Sequence, residues 1–360
     1  MTEALKKTPL NDIHHKLKAR MIDFAGWDLP VWYTSVLDEH KAVRSAAGIF
    51  DVSDMGRVRV SGKEARVFLD RILTRPVLKM EAGSSMLNMM CLENGGILDD
   101  LWLFCVEDER YLIVWNAANI HEKHAWLSRW SGSDPDIAID DESADTAMVA
   151  VQGPAVSDLK SLQSVSHLPR FGYARTEIDG ISVFAARTGY TGEDGFEMIA
   201  AASDGVPLWE SFMEQGVKPC GLGARDSLRL EAGMLLCGQD MDSNTNPFEA
   251  DLGWLVDLDR DDFVGRKALL EIKRQGIRRK LVGFRMEGRE IARPGYPILG
   301  SGQEVGRVTS GGYSPTLGFN IGLGYVPVEL SAIDTGIEVS IRNRPVPARI
   351  VNKRFYKRGV

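Results

Sequence analysis

The chain has 360 residues, 44% hydrophobic and 26% charged, the composition of an ordinary soluble globular protein with length for two or three domains. Its 50 acidic and 43 basic residues give a net charge of −7, which argues against a protein built to coat nucleic acid or an anionic membrane. The start, MTEALKKTPLNDIHHK, lacks the apolar core of a secretory signal, and no apolar run approaches the roughly 18 residues of a membrane span. Cys91, Cys105, Cys220 and Cys237 are widely spaced, so they read as buried thiols in a reducing cytoplasm.

Residues 36–47, VLDEHKAVRSAA, are predicted as a helix closed by Gly48. Ser61 and Glu64 have the spacing of a capping box for a helix running to about Leu73. Three strands follow, over 84–92, 97–106 and 111–117, and connections this short make an antiparallel meander. Asn94-Gly95 supplies its first turn. Asn119 is predicted to cap a helix with Ile120, Trp126, Leu127 and Trp130 on one face. Residues 131–145, small, polar and acidic, read as a solvated connector without calcium-loop spacing. GISVFAARTGYTGEDGFEMIAA reads as two strands around a Gly-rich turn, and LGARDSLRLEAG as a short helix ending at Gly233. After Gln275-Gly276 the chain is strand-rich with many Gly and Pro, as in a small β-domain or barrel.

No repeat of solenoid period occurs, and the glycine motifs of dinucleotide and P-loop sites, the serine-hydrolase elbow and H-E-x-x-H are all missing. The six histidines form no ligand set; His121 and His124 fall on a predicted helix surface. No metal and no nucleotide cofactor is therefore expected.

Three constellations could carry chemistry. In ENGGILDDLWLF, Asp99 and Asp100 open an apolar strand and point to opposite faces of the sheet. Desolvating a carboxylate there is expensive, so either one bonds backbone N–H groups of the turn or one lines a pocket and meets a cationic or N–H-bearing ligand. In RTGYTGEDGFE, Gly189, Gly192 and Gly195 suit a tight loop where backbone approaches a ligand closely. Glu193 and Asp194 sit in its turn and are expected to be solvated, while Glu197, at a strand start, is the better inward carboxylate. In GLGARDSLRLEAG, Arg225 and Arg229 share a helix face near Asp226 and Glu231, either as a salt-bridged surface or as a fork for a ligand carboxylate.

Together with TPLNDIHHKLKARMIDFAGWDLPVWY, DEHKAVRSAAGIFDVSDMG, NAAN, NPFEADLGW and TSGGYSPTLG, these stretches resemble, in colinear order, the glycine-cleavage T-protein family of tetrahydrofolate-dependent aminomethyltransferases. The resemblance implies an α+β fold, a three-domain cloverleaf around a central folate channel, with two antiparallel α+β domains and a C-terminal β-barrel domain. Applied to this chain, the domains are 1–50 plus 140–220, 51–139 plus 221–275, and 276–360. It implies transfer of a one-carbon unit from the aminomethyl-dihydrolipoyl arm of a carrier protein (H-protein) to tetrahydrofolate, with release of ammonia, in the cytoplasm. By motif, Asp99 matches the catalytic carboxylate beside folate N10 and N5, and Glu197 the carboxylate that holds the pterin. Arg225 matches a folate-contacting arginine, with Tyr190, Asn116 and Met55 lining the same cavity and Arg354, Lys357 and Arg358 near the glutamate tail.

The chain departs from the family at three places. Ser53-Asp54-Met55 stands where Ser-His-Met is usual, Leu87 where a Tyr packs on the folate, and Phe319 where a Lys commonly follows SPTLG. The same fold serves tetrahydrofolate-dependent demethylases acting on methylated sulfur, oxygen or nitrogen, but these usually lose motifs that are whole here. The K-G-C-Y-x-G-Q stretch of a folate-binding relative that assists iron–sulfur repair is absent, as is the dinucleotide-binding half of the fused oxidases.

Overall fold

The computed structural model describes residues 4–359; Met1 to Glu3, which begin the stretch read above for a secretory signal, and Val360 lie outside the described residues. The chain forms two compact units, Met1–Phe68 with Lys79–Leu87 and Leu101–Asp226, and Leu69–Leu78 with Asn88–Asp100 and Ser227–Val360.

In the first unit a sheet of six strands runs in the spatial order Tyr173–Ile178, Ile181–Ala186, Gly195–Ala201, Thr146–Gln152, Gly48–Asp51 and Lys218–Pro219. All neighbours are antiparallel except the last pair. Its faces differ. Phe196 and Met198 lie opposite Val151 and Val149, and these four pack with Leu208, Trp209 and Phe212 of helix Gly205–Glu214 in one apolar core. Glu197, between Phe196 and Met198, projects from the other face by the two-residue period of a strand.

A second sheet has the order Ser85–Cys91, Ile97–Glu107, Arg110–Trp115, Gly56–Ser61, Ala138–Asp141. The expected meander is therefore present, with Ile97–Glu107 antiparallel to Arg110–Trp115. At the Asn94-Gly95 turn, Gly95 takes φ +85° and the Gly96 N–H donates to Asn94 Oδ1 at 2.9 Å. In the second unit, Arg279–Met286, Phe319–Pro327, Gln303–Ser314, Pro297–Gly300, Gly336–Ile341 and Arg344–Val351 close a barrel around Phe284, Ile298, Val326, Val339 and Ile350. The fold is thus mixed α+β with a C-terminal barrel, as the sequence implied.

Several local expectations are corrected. The helix predicted over 36–47 is Val36–Ser45, capped by Ser35, and Gly48 does not close it but begins a strand, where a Cβ would come within 2.6 Å of Cys220 Sγ and Val43 Cγ2. The Ser61/Glu64 box does not form: Ser61 ends strand Gly56–Ser61, and the Glu64 N–H donates to the Asp136 carbonyl. Asn119 precedes helix Ile120–Ser131 in a left-handed conformation without a side-chain cap, and Lys123 is buried on that helix beside Trp126 and Leu127. The connector 131–145 carries strand Ala138–Asp141, because Val58 and Val60 leave a sheet edge to cover.

Candidate active site

Glu197 is 7% exposed, and the Thr188 hydroxyl donates to its Oε2 at 2.6 Å. Among the described residues Oε1 takes no hydrogen bond. Both side chains border a small cleft with Trp102, Phe104, Phe184 and Ile199. Trp102 and Phe104 lie nearly parallel with ring centroids 6.2 Å apart, and Phe184 meets Phe104 edge-on at 5.1 Å. Aromatic walls and an acceptor-only carboxylate with one open oxygen suit a flat ring that presents adjacent N–H donors.

Two glycines of this loop, Gly189 and Gly195, are packed closely against the protein interior. A Cβ at Gly189 would stand 1.9 Å from Gln152 Oε1, and one at Gly195 would stand 2.3 Å from the Val151 carbonyl. Glu193 is not solvated as expected, and Asp194 is only partly exposed. Glu193 pairs with Arg44 at 2.8 Å with only 2% of its side chain exposed, and Asp194 takes Arg187 in a fork at 3.0 and 2.5 Å. Both pairs pull the turn against neighbouring elements, which charge alone in the sequence did not show.

Helix Leu222–Ala232 closes at Gly233, with φ +71°, as predicted. Its two arginines have different fates. Arg229 is 1% exposed and binds Asp240 at 2.5 Å and Ser310 Oγ at 2.7 Å, so it is structural and does not form a fork with Arg225. Glu231, fully buried, accepts from Thr316 Oγ1 at 2.8 Å and from the Thr316 N–H at 3.1 Å. Arg225 is held differently. Its guanidinium lies 4.9 Å over the Tyr190 ring, its Nη2 is 3.8 Å from Met55 Sδ, and its buried Nη1 has no partner among the described residues. An orphaned cationic N–H is expensive, so this atom is poised to donate to an acceptor that the chain itself does not supply.

Met55, Tyr190 and Arg225 therefore come together as expected, and Thr188, two residues before Tyr190, ties Glu197 down. Asn116 follows strand Arg110–Trp115, and its carbonyl accepts from buried Lys123 Nζ, which lies 5.1 Å over the Trp115 ring. Leu87 is half-buried on strand Ser85–Cys91. Asp99 is 1% exposed on strand Ile97–Glu107 whereas Asp100 is partly exposed, in line with opposite faces. Arg358 is exposed beyond the last barrel strand, and Phe319, which begins a barrel strand, stacks under Arg285 at 4.0 Å.

The sequence marked Asp54 only as a departure from the family and passed over the buried network behind it. Asp54 is 7% exposed in the turn between strands Gly48–Asp51 and Gly56–Ser61. Burial first, then the charge of Asp51, push its carboxyl up to about 6, against the pull of Arg225 and Arg57. Behind it lies a buried chain: Thr8 donates to Asp51 Oδ2 at 2.6 Å, His14 Nε2 is 2.9 Å from the same oxygen, and His14 Nδ1 is 2.8 Å from the Tyr33 hydroxyl. These bonds overcome burial and hold Asp51 below the usual carboxylate range. The sequence signals were the Asp54 departure itself and the density of carboxylates in FDVSDMG, whose Asp51 finds Thr8 and His14 about 40 residues away.

The structure is that of an α+β protein with a C-terminal barrel, in which a buried carboxylate borders an aromatic cleft and a buried arginine N–H lies without a partner among the described residues. Residues 10–260 match the GCVT N-terminal domain and residues 279–357 the glycine cleavage T-protein C-terminal barrel domain, so the chain belongs to the glycine-cleavage T-protein family. It is 46% identical over 358 residues to an aminomethyltransferase of Rubrobacter xylanophilus, covering 98% of this chain and 95% of the relative. A Halothermothrix orenii aminomethyltransferase is 43% identical, with 98% of this chain and 100% of the relative covered. The crystal structure of glycine cleavage system aminomethyltransferase T from Bartonella henselae superposes with a TM-score of 0.93 at 32% identity, over 98% of each chain.

Proposed function

We propose that the chain is the aminomethyltransferase of a glycine cleavage system, which moves a one-carbon unit from an aminomethylated dihydrolipoyl carrier protein to tetrahydrofolate and releases ammonia in the cytoplasm. The observation that carries this reading is the open Glu197 Oε1 together with the orphaned Arg225 Nη1, in a chain whose relatives at 43–46% identity are named aminomethyltransferases. Glu197 accepts from the pterin ring N–H and 2-amino groups, and the cleft beside it offers aromatic faces for the ring. Arg225 donates to an acceptor of the folate, steadied by Tyr190 and Met55. Asn116 and Leu87 line the ligand, and Arg358 meets its glutamate tail.

Asp99 is the catalytic carboxylate. As carbon leaves sulfur for N5 of the folate, positive charge develops on the one-carbon unit and on nitrogen. A carboxylate fixed on a strand and shielded from water stabilises that charge without reorganising. No helix among the described residues is long and apolar enough to cross a membrane. Calorimetry with 5-formyltetrahydrofolate and with NAD tests the reading: heat is expected for the folate alone, and heat for NAD alone overturns it.

A further inference from the structure

We propose that Asp54 is a proton-linked residue of this site, taking up a proton when a folate engages Arg225, so that ligand affinity rises as the solution is acidified. The inference rests on the folate reading above.

The turn that carries Asp54 is pinned on both sides. The Ser53 N–H donates to Asp51 Oδ1 at 2.9 Å, and the Ser53 hydroxyl bridges the carbonyl and N–H of Met148 at 3.1 and 2.9 Å. Arg57 Nη1 donates to the Ser53 carbonyl at 2.8 Å. At 7% exposure and so held, Asp54 has no room to relieve its charge by turning to water. The charged groups that face it are Asp51, Arg225 and Arg57. Asp51 is committed to Thr8, His14 and Ser53, and remains a fixed negative charge. Arg57 is spent on the carbonyls of Ser53, Met55, Ser143 and Thr146.

Arg225 is the one facing cation with a vacant buried N–H, and Met55, the residue after Asp54, touches it. A ligand acceptor bonded to Nη1 draws on the field that favours ionised Asp54, and a ligand carboxylate nearby adds repulsion. Both effects favour the protonated acid. Asp54, already raised to about 6, is poised for this exchange near neutral pH. Because binding and protonation are reciprocal, protons taken up on binding appear as a fall in affinity with rising pH.

The test is calorimetry of 5-formyltetrahydrofolate binding to the full chain at pH 6.5, in two buffers of different ionisation enthalpy, followed by titrations from pH 6 to 8. The expected result is net proton uptake and an affinity loss of about three- to tenfold across that range. Asp54→Asn and Asp54→Ser are both expected to abolish the uptake and flatten the profile. An infrared difference spectrum of the wild-type chain, which needs no variant, is expected to gain a carboxylic-acid C=O band on binding. Buffer-independent wild-type heat, uptake that persists in either variant, or no new acid band overturns the proposal. No folate heat at any pH places the failure in the functional reading instead.

Discussion

Replacing Glu197 by Gln keeps the shape of the side chain while removing its charge and half its acceptor capacity. The amide oxygen can still accept the Thr188 hydroxyl, which sits 2.6 Å from Oε2, and the strand is paired on both sides, at Ala186 and at Ala150, so the fold should survive. That arrangement turns the amide N–H2 into the open Oε1 position, where it faces the donors of the pterin. Losing a charge-assisted bond is worth about 1.5–3 kcal/mol, and a buried donor without an acceptor about 1–3 kcal/mol. These terms overlap, so the net loss is roughly 2–4 kcal/mol, or about 30- to 1,000-fold in Kd. Calorimetry with 5-formyltetrahydrofolate on wild type and Glu197→Gln measures it, with melting temperature as the folding control. Unchanged affinity in a variant that melts normally would place the pterin elsewhere and refute the role of the Thr188–Glu197 pair.

Asp99→Asn should lower ammonia release by about 10²–10³ while folate binding survives better than rate; Asp100→Asn, on the more exposed side of the strand, should spare chemistry, and a folded but inactive Asp100→Asn shows the register assignment to be wrong. Arg229→Met strands Asp240, fully buried at 2.5 Å from the guanidinium, and should cost about 3–5 kcal/mol in a urea titration; an unaltered midpoint contradicts the structural role. Asp54 also ties stability to pH. Its folded carboxyl titrates near 6 against an ordinary 3.8, so the folded chain keeps a proton that the unfolded chain sheds. Stability from this group is full below pH 4, falls between pH 4 and 6 and stays reduced above. Asp54→Asn should therefore gain up to about 3 kcal/mol more at pH 8 than at pH 4; an equal gain at both, read by denaturant titration, counts against the raised value.

Where local chemistry decides structure, the sequence was legible. Asn94-Gly95 turns the hairpin, Gly233 ends its helix, and the Gly- and Pro-rich C-terminal strands close as a barrel. The capping box failed because Ser61 was needed to finish a strand, an outcome set by pairing with Arg110 and Ala138 rather than by its own neighbours. The candidate site divided in the same way. Glu197 was readable from its place at a strand start. Arg225 and Arg229, equivalent in the helix pattern, were separated only by Asp240 and Ser310, 11 and 81 residues further along the chain. Glu193 likewise looked solvated until Arg44, 149 residues away, came to meet it. Asp54 was legible only as a departure from Ser-His-Met; its burial among distant charges, which no spacing shows, is what makes it unusual.

Ammonia release by the purified chain, supplied with tetrahydrofolate and an aminomethylated lipoyl carrier protein, tests the central claim most directly. The account predicts ammonia and methylenetetrahydrofolate in equal amounts, dependent on both substrates. No ammonia from the carrier, with methyl transfer to tetrahydrofolate from a methylated sulfonium or amine instead, would contradict it and make the chain a demethylase on the same fold.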